Sequence, residues 1–380
     1  GGGGRYSDRM GFRALVTILV SLSLCPALVA EVRQPVAEWL ASEWKAAQQL
    51  PDLGSKGFRY KTEMYAVLSA AELRALESQV QNKPEHPRRH ELLAEKGRAA
   101  RGPDVFRTCI FSDGAGWRYS FDSSSRSFID AALTGSQAWQ LTQDSLSLAD
   151  PLAARDHQNP QTWIAGHESV FVLELGSLLH GGFSMGRVSQ VVPGPIHVRD
   201  NRWSFEAAAP QMDGDGRPLF AVEFKGSWDD SAQRGFVESC VITRHTDKKY
   251  LGSTTRYVDW KLAPELGLWV ASRVEEVDPK GKVWRALVFD GVLETRKSFS
   301  ELTQAPSPGW ADPLRPLPNL TAVADYRTGT LTRTREDGTE DSVPLPGVER
   351  QASLGWIKAA GWILAVVSVV ATAVWIRLRK

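Results

Sequence analysis

The sequence predicts a mainly β, α+β protein: a curved antiparallel sheet or half-barrel with packed helices, plus one C-terminal transmembrane helix. Three observations lead there. From about residue 219 onward, runs rich in aromatic and β-branched residues follow one another with short polar links, which suits an antiparallel meander because parallel strands would need crossover helices. Residues 35–50, PVAEWLASEWKAAQQL, repeat apolar positions at helical spacing. Residues 359–376, AAGWILAVVSVVATAVWI, run 18 positions without a charge, the length of a membrane span.

Taken in order, Arg5, Arg9 and Arg13 precede an apolar run at 14–24 and a small-residue exit at Ala27–Ala30. That layout reads as a signal peptide over 1–30. Met10 is a plausible start, and Leu24 stands where a lipid-attachment motif at Cys25 would need a small residue. The helix at 35–50 opens on Pro35, a first-turn residue, and stops at Pro51-Asp-Leu-Gly54. Residues 57–68, GFRYKTEMYAVL, alternate as a strand, and 70–101 read as charged helix broken at Asn82–Pro87. VFRTCIFSDGAGWRYSF, 105–121, is a hairpin around Asp113–Gly116. LFAVEFKG, FVESCVITR, STTRYVDWKL, GLWVASRVEEV and KVWRALVFDGVLETR are the meander, with a tight turn at Asp278–Gly281. The expected organisation is one β-rich domain over 31–312 with helical insertions, then a proline-rich and polar linker over 313–355 with a closing hairpin in YRTGTLTRTREDGTE. The span follows at 356–376 and a basic tail at 377–380. Trp356 and Trp375 lie 19 residues apart, which matches two bilayer interfaces, and Arg377, Arg379 and Lys380 keep the tail cytoplasmic. The bulk of the chain is thus expected outside the cytoplasm, on a single-pass anchor.

Composition narrows the function. The exported segment 31–356 carries 38 Lys and Arg against 43 Asp and Glu, and no basic stretch is interleaved with aromatics, so no nucleic-acid partner is expected. Cys109 and Cys240 remain after the leader is removed; in an oxidising compartment they form a disulfide or stay as two buried thiols. Gly182-Phe183-Ser184-Met185-Gly186 spells the G-x-S-x-G of serine hydrolases. That motif needs a strand before the serine, a helix after it and later acid and histidine partners, whereas Pro193 and Pro195 follow closely and the context is a meander. The other reading is a short helix, SLLHGGF, ending on glycines. No metal or cofactor is expected: His90-Glu-Leu-Leu-Ala94 lacks the second histidine of a zinc motif, and Phe224 stands where a calcium loop from Asp213 needs its glutamate.

The order of leading helix (35–50), first strand (57–68), hairpin (105–121) and meander (219–297) resembles the periplasmic lipoprotein-carrier superfamily, the LolA-like and RseB-like proteins. The resemblance is one of architecture, without a specific motif, and spans about 31–312. It implies a curved sheet whose concave face takes an acyl chain or lipid. The strand aromatics Trp203, Phe205, Phe220, Phe224, Trp260, Trp269 and Trp284 would line that face, or else form an ordinary dry core. A C-terminal span and insertions at 66–101 and 135–215 set this chain apart from the soluble carriers. A tethered domain does not shuttle, so the expectation is a membrane-anchored, non-enzymatic domain binding a lipid, a lipoprotein or another envelope component. The alternatives are a hydrolase using Ser184 and a structural or protein-binding ectodomain without a ligand.

Overall fold

The computed structural model describes residues 34–345 apart from 82, 124–126, 157–161, 308, 309, 311 and 336. The expected signal peptide, the span, Trp356, Trp375 and the basic residues Arg377, Arg379 and Lys380 lie outside the described residues. Among the described residues, no helix is long and apolar enough to cross a membrane.

In chain order the elements are helix α1 (Gln34–Ala46), strand β1 (Gly57–Met64), helices α2 (Ala70–Val80) and α3 (Arg89–Arg101), and strands β2 (Asp104–Ser112), β3 (Trp117–Ser123), β4 (Phe128–Leu133), β5 (Ala138–Leu141) and β6 (Ser145–Ala149). Then come helices α4 (Pro151–Arg155), α5 (Trp163–His180) and α6 (Met185–Ser189), and strands β7 (Val192–Pro193), β8 (His197–Arg199), β9 (Arg202–Ala208), β10 (Ala221–Asp229), β11 (Arg234–Arg244), β12 (Thr254–Ala263), β13 (Leu268–Val277) and β14 (Val283–Leu293). Helix α7 (Phe299–Leu302) and strands β15 (Ala322–Asp325), β16 (Thr330–Thr334) and β17 (Glu340–Pro344) close the chain. The fold is mainly β, as the alternating runs predict. The chain divides into two compact units: residues up to Cys109 with Ser169–Glu294, and Ile110–Glu168 with the residues from Thr295.

The first unit is built on a large, curved and unclosed antiparallel sheet in the order β9, β10, β11, β12, β13, β14, β1, with β7 and β8 both laid on β9. Irregularities at Arg59/Tyr60, Lys225/Gly226 and Glu276/Val277 insert extra residues, which bend and twist the strands. The alternation is clean on β10, where Val222, Phe224 and Trp228 are buried and Glu223, Lys225 and Ser227 are not. The insertion at 66–101 is helical as expected. Its α2 carries a capping box between Ser69 and Glu72, and buried Glu95 of α3 accepts from the amides of Val67 and Leu68 at 2.8 and 3.0 Å.

The second unit holds strands β3 to β6, a meander whose first strand belongs to the expected 105–121 hairpin and whose last two lie in the expected insertion over 135–215. Its runs are short and Ala- and Ser-rich, so the β signal was weak. The expected hairpin before the C-terminus is present as β16–β17, but 313–345 is not a bare tether: β15 pairs parallel with β6, Ala322 opposite Ser145, and β16 and β17 extend from it. A parallel pairing between residues 177 apart leaves no local trace in sequence. The core of this unit gathers Ala132, Trp139, Leu141 and Leu146, with Phe128, Trp310, Leu317 and Val323 packed on it.

Candidate functional site

The helix-covered face of the first unit is where the resemblance would place a ligand. Helix α5 ends at His180 on two left-handed glycines, Gly181 (φ 63°) and Gly182 (φ 84°), the conformation that closes helices on glycine. This turn drives Phe183 into the sheet, where its ring stands 5.2 Å from Phe224 and 5.8 Å from Phe205. Phe205 and Phe224 stack at 5.1 Å with their planes 14° apart. From α1, Trp44 meets Phe205 at 5.9 Å, and Trp39 meets Trp203 at 5.5 Å and Trp228 at 6.2 Å. Trp39 can lie flat on β11 because Gly235 has no side chain: a Cβ there would fall 2.3 Å from the indole.

Trp203, Phe205 and Phe224 are therefore core, each under 3% exposed, and not the lining of an open groove. A cavity beside α5, edged by Leu50, Val172, Leu175 and Leu179, measures about 10 Å³, room for a single water at most. The sequence missed the occupants, Trp39, Trp44 and Phe183. The two tryptophans at helical spacing in 35–50 were its available signal.

Ionic pins hold the helices to the sheet. Glu174 of α5 is buried, accepts a hydrogen bond from the Tyr60 hydroxyl and pairs with Arg285, which also reaches Glu276 at 2.7 Å. Burial pushes both Glu174 and Glu276 above the usual carboxylate range, with Arg285 opposing it. Glu43 of α1 receives His180 at 2.7 Å and Arg234 at 3.2 Å. Burial would raise its pKa, but these two partners outweigh that and hold it low.

Ser184 is 1% exposed, and among the described residues its hydroxyl has no hydrogen-bond partner. It follows a helix, not a strand, and packs against Gly176, where a Cβ would fall 2.1 Å from the hydroxyl oxygen. His180 is engaged with Glu43. This geometry supplies neither a base nor an approach for substrate. Cys109 and Cys240 are both buried and form no disulfide with each other; the Cys240 thiol lies 3.6 Å from the Tyr257 hydroxyl. Among the described residues no group of three or more His, Cys, Asp or Glu is placed to hold a metal ion.

The other lining candidates are dispersed. Phe220 lies at a loop end against His245, at 5.8 Å. Trp284 is half-buried near the start of β14. Trp260 and Trp269 meet at Phe236, at 5.8 and 5.0 Å, where β11 and β12 part. There β12 pairs with β11 only over Thr254–Arg256, and the Trp260 indole donates to the Val237 carbonyl at 2.8 Å. On the other side β13 pairs with β14 only over Arg273–Val277. The hairpin from Tyr257 to Ser272 is thus an arm paired within itself and released from the ladder on both sides. Asp259 sits in it at φ 56°, opposite Ser272, whose buried hydroxyl has no partner among the described residues; such strain persists where surroundings impose it. Val258 and Leu262 of this arm are exposed, 43% and 48%.

No protein-family model and no curated protein matches the chain. Solved structures are similar to it. An outer membrane lipoprotein-sorting protein domain from Vibrio parahaemolyticus is 10% identical, over 69% of this chain and 94% of that one, with a TM-score of 0.34. A DUF1329 family protein from Desulfovibrio piger is 7% identical over 71% and 97%, with a TM-score of 0.33. The MucA/MucB complex of Pseudomonas aeruginosa matches at 11% over 80% and 73%, with a TM-score of 0.22. The first and third are domains of the lipoprotein-sorting and MucB/RseB kind that the sequence resembles. The likeness is one of architecture, and at such TM-scores it carries no argument about ligand or partner.

Proposed function

We propose that this chain is a non-enzymatic, extracytoplasmic binding domain, held to a membrane by its apolar C-terminal segment, whose partner is a protein of the envelope engaging the released arm of β12 and β13. The observation that carries this reading is the pairing pattern: two adjacent strands leave their neighbours over the same stretch and expose Val258 and Leu262 there. Exposed strand edges with apolar side chains recruit extended segments by strand addition. The filled helix-covered face supports a protein partner over an acyl chain, since the aromatic cluster would have to be expelled to admit a lipid.

Photo-crosslinking in intact cells tests the proposal, with a reactive residue at position 258 or 262 of the full chain and a control at exposed Lys225. One discrete envelope protein joined from 258 and 262 but not from 225 is expected. Stoichiometric acyl lipid retained on native extraction, with no cross-linked protein, would overturn it. Release by alkaline carbonate, or protection from protease added outside intact cells, would separately refute the anchor and the placement.

A further inference from the structure

We infer that one end of the first unit's sheet, distinct from the arm, is a docking surface for an anionic lipid bilayer. Antiparallel order brings three connections to that end: 209–220 between β9 and β10, 245–253 between β11 and β12, and 278–282 between β13 and β14. They adjoin one another. The Phe220 ring stands 5.8 Å from His245, which lies 4.8 Å from Tyr250, and Gly252 faces Pro279.

Met212, Leu219, Tyr250 and Leu251, at 55%, 36%, 43% and 46% exposure, stand on the first two loops. They are four of the twelve exposed large apolar side chains among the described residues, and they belong to separate loop tips instead of one flat patch. A protein partner favours a continuous packed patch. Separate tips ringed by cations suit a bilayer interface, where apolar groups enter the acyl boundary and long basic side chains reach back to phosphates.

The cations are present. Arg217, Lys248, Lys249, Lys280 and Lys282 are exposed on the same loops, and the Lys249 ammonium lies 4.7 Å from the Tyr250 ring centre. The same loops carry four carboxylates against these five cations: Asp213 accepts from the amides of Asp215 and Arg217, Asp247 from Lys249, and Asp278 from Lys280 and Lys282, all at 2.9 to 3.1 Å, and Asp215 is exposed. Lys249 and Lys280 also pair with Asp247 and Glu72 at 2.9 Å. At the opposite end of the sheet the connections 230–233 and 264–267 carry Asp230 and Glu265 and no cation. On a net acidic exported segment, this polarity orients one end toward negative phosphates. The inference does not rest on the C-terminal span, since it concerns only these loops.

The test places an environment-sensitive fluorophore at Leu251→Cys in the full chain with Cys25→Ser; Cys109 and Cys240 are buried and escape labelling. The chain is presented to, or reconstituted in, vesicles of phosphatidylcholine with or without phosphatidylglycerol. The expected result is a blue shift and quenching by bromolipid in the anionic vesicles, weakened roughly tenfold by Lys248→Glu with Lys249→Glu and by high salt. A label at Ala232, on the opposite end, stays unaffected. An unchanged melting curve for the double variant excludes misfolding as the cause. A label at 251 that remains as wet as one at 232, that responds equally to neutral vesicles, or that responds only when an envelope protein is added, overturns the inference.

Discussion

The two units face one structural problem, holding a sequence-distant segment against an antiparallel sheet, and solve it by opposite means. In the first, α1 and the turn after α5 are held mainly by rings, Trp39, Trp44 and Phe183 against Trp203, Phe205 and Phe224. In the second, the stretch after Thr295 is held, besides the β15–β6 pairing and its apolar packing, by one buried guanidinium. Arg118 is wholly buried, donates to both oxygens of Asp130 at 2.9 and 2.5 Å and to the Leu302 carbonyl at 2.9 Å, and pairs with Asp312. Its guanidinium faces the rings of Trp139 and Trp310 at 5.6 and 5.3 Å. The Trp139 indole donates to the Thr303 carbonyl at 2.7 Å. Burial alone would lower the pKa of Arg118, but the two carboxylates raise it, so it stays charged. The lesson is one of tolerance. A ring cluster weakens by degrees as rings are trimmed, whereas a buried charge network fails as a unit when one member leaves.

The largest expected effect follows from that contrast. Arg118→Met takes the guanidinium from buried Asp312 and leaves buried Asp130 only the more distant Arg315, at 3.7 Å, and should cost about 3–5 kcal/mol. Denaturant unfolding followed by fluorescence measures it, and replacing all three charged residues by apolar ones of similar size should recover most of the loss. If the single variant melts like the parent, the network is not what holds the segment. Phe183→Ala should cost about 3 kcal/mol in the first unit and open space beside Phe224. Uptake of a hydrophobic dye by this variant, but not by the parent, would show that the face is closed by its own ring.

Acidity sharpens the comparison within the first unit. Glu174 and Glu276 titrate above the ordinary glutamate value of 4.5. The folded state therefore binds their protons more tightly than the unfolded chain does, and their contribution to stability is lost as pH rises from that value through the raised pKa. Glu43 is shifted the other way, so its contribution is present above 4.5 and lost as pH falls through its lowered pKa. Melting curves across pH should thus lose part of their alkaline-side decline in Glu174→Gln and part of their acid-side decline in Glu43→Gln. Smaller still, Ser184→Ala removes a buried hydroxyl with no partner and should leave stability unchanged or raise it by up to about 1 kcal/mol. Labelling by a fluorophosphonate lost in that variant would instead revive the hydrolase. Replacing exposed Val258 by Lys should leave stability within about 0.5 kcal/mol while weakening the cross-link formed from position 262.

Much of this was legible because it is local. The β10-to-β14 meander, the split helix at 70–101 and the Asp113–Gly116 turn follow from period, punctuation and propensity within a few residues. The glycine end of α5, the bland alternative for Ser184, was legible for the same reason. The candidate site was not. Whether Trp203, Phe205 and Phe224 line a groove or fill a core depends on Trp39, Trp44 and Phe183, brought in from elsewhere in the chain.

By itself the sequence determined the β-rich meander of this protein and its leading helix, because alternation and helical spacing are properties of neighbouring residues. Only the tertiary structure decided that the helix-covered face is filled, that Arg118 anchors the stretch after Thr295, that β15 lies parallel to β6, and that β12 and β13 part from their neighbours. Each of those is a meeting of residues far apart in the chain, settled by which surfaces exclude water from one another and which buried charges find a partner, and no pattern along the chain records it.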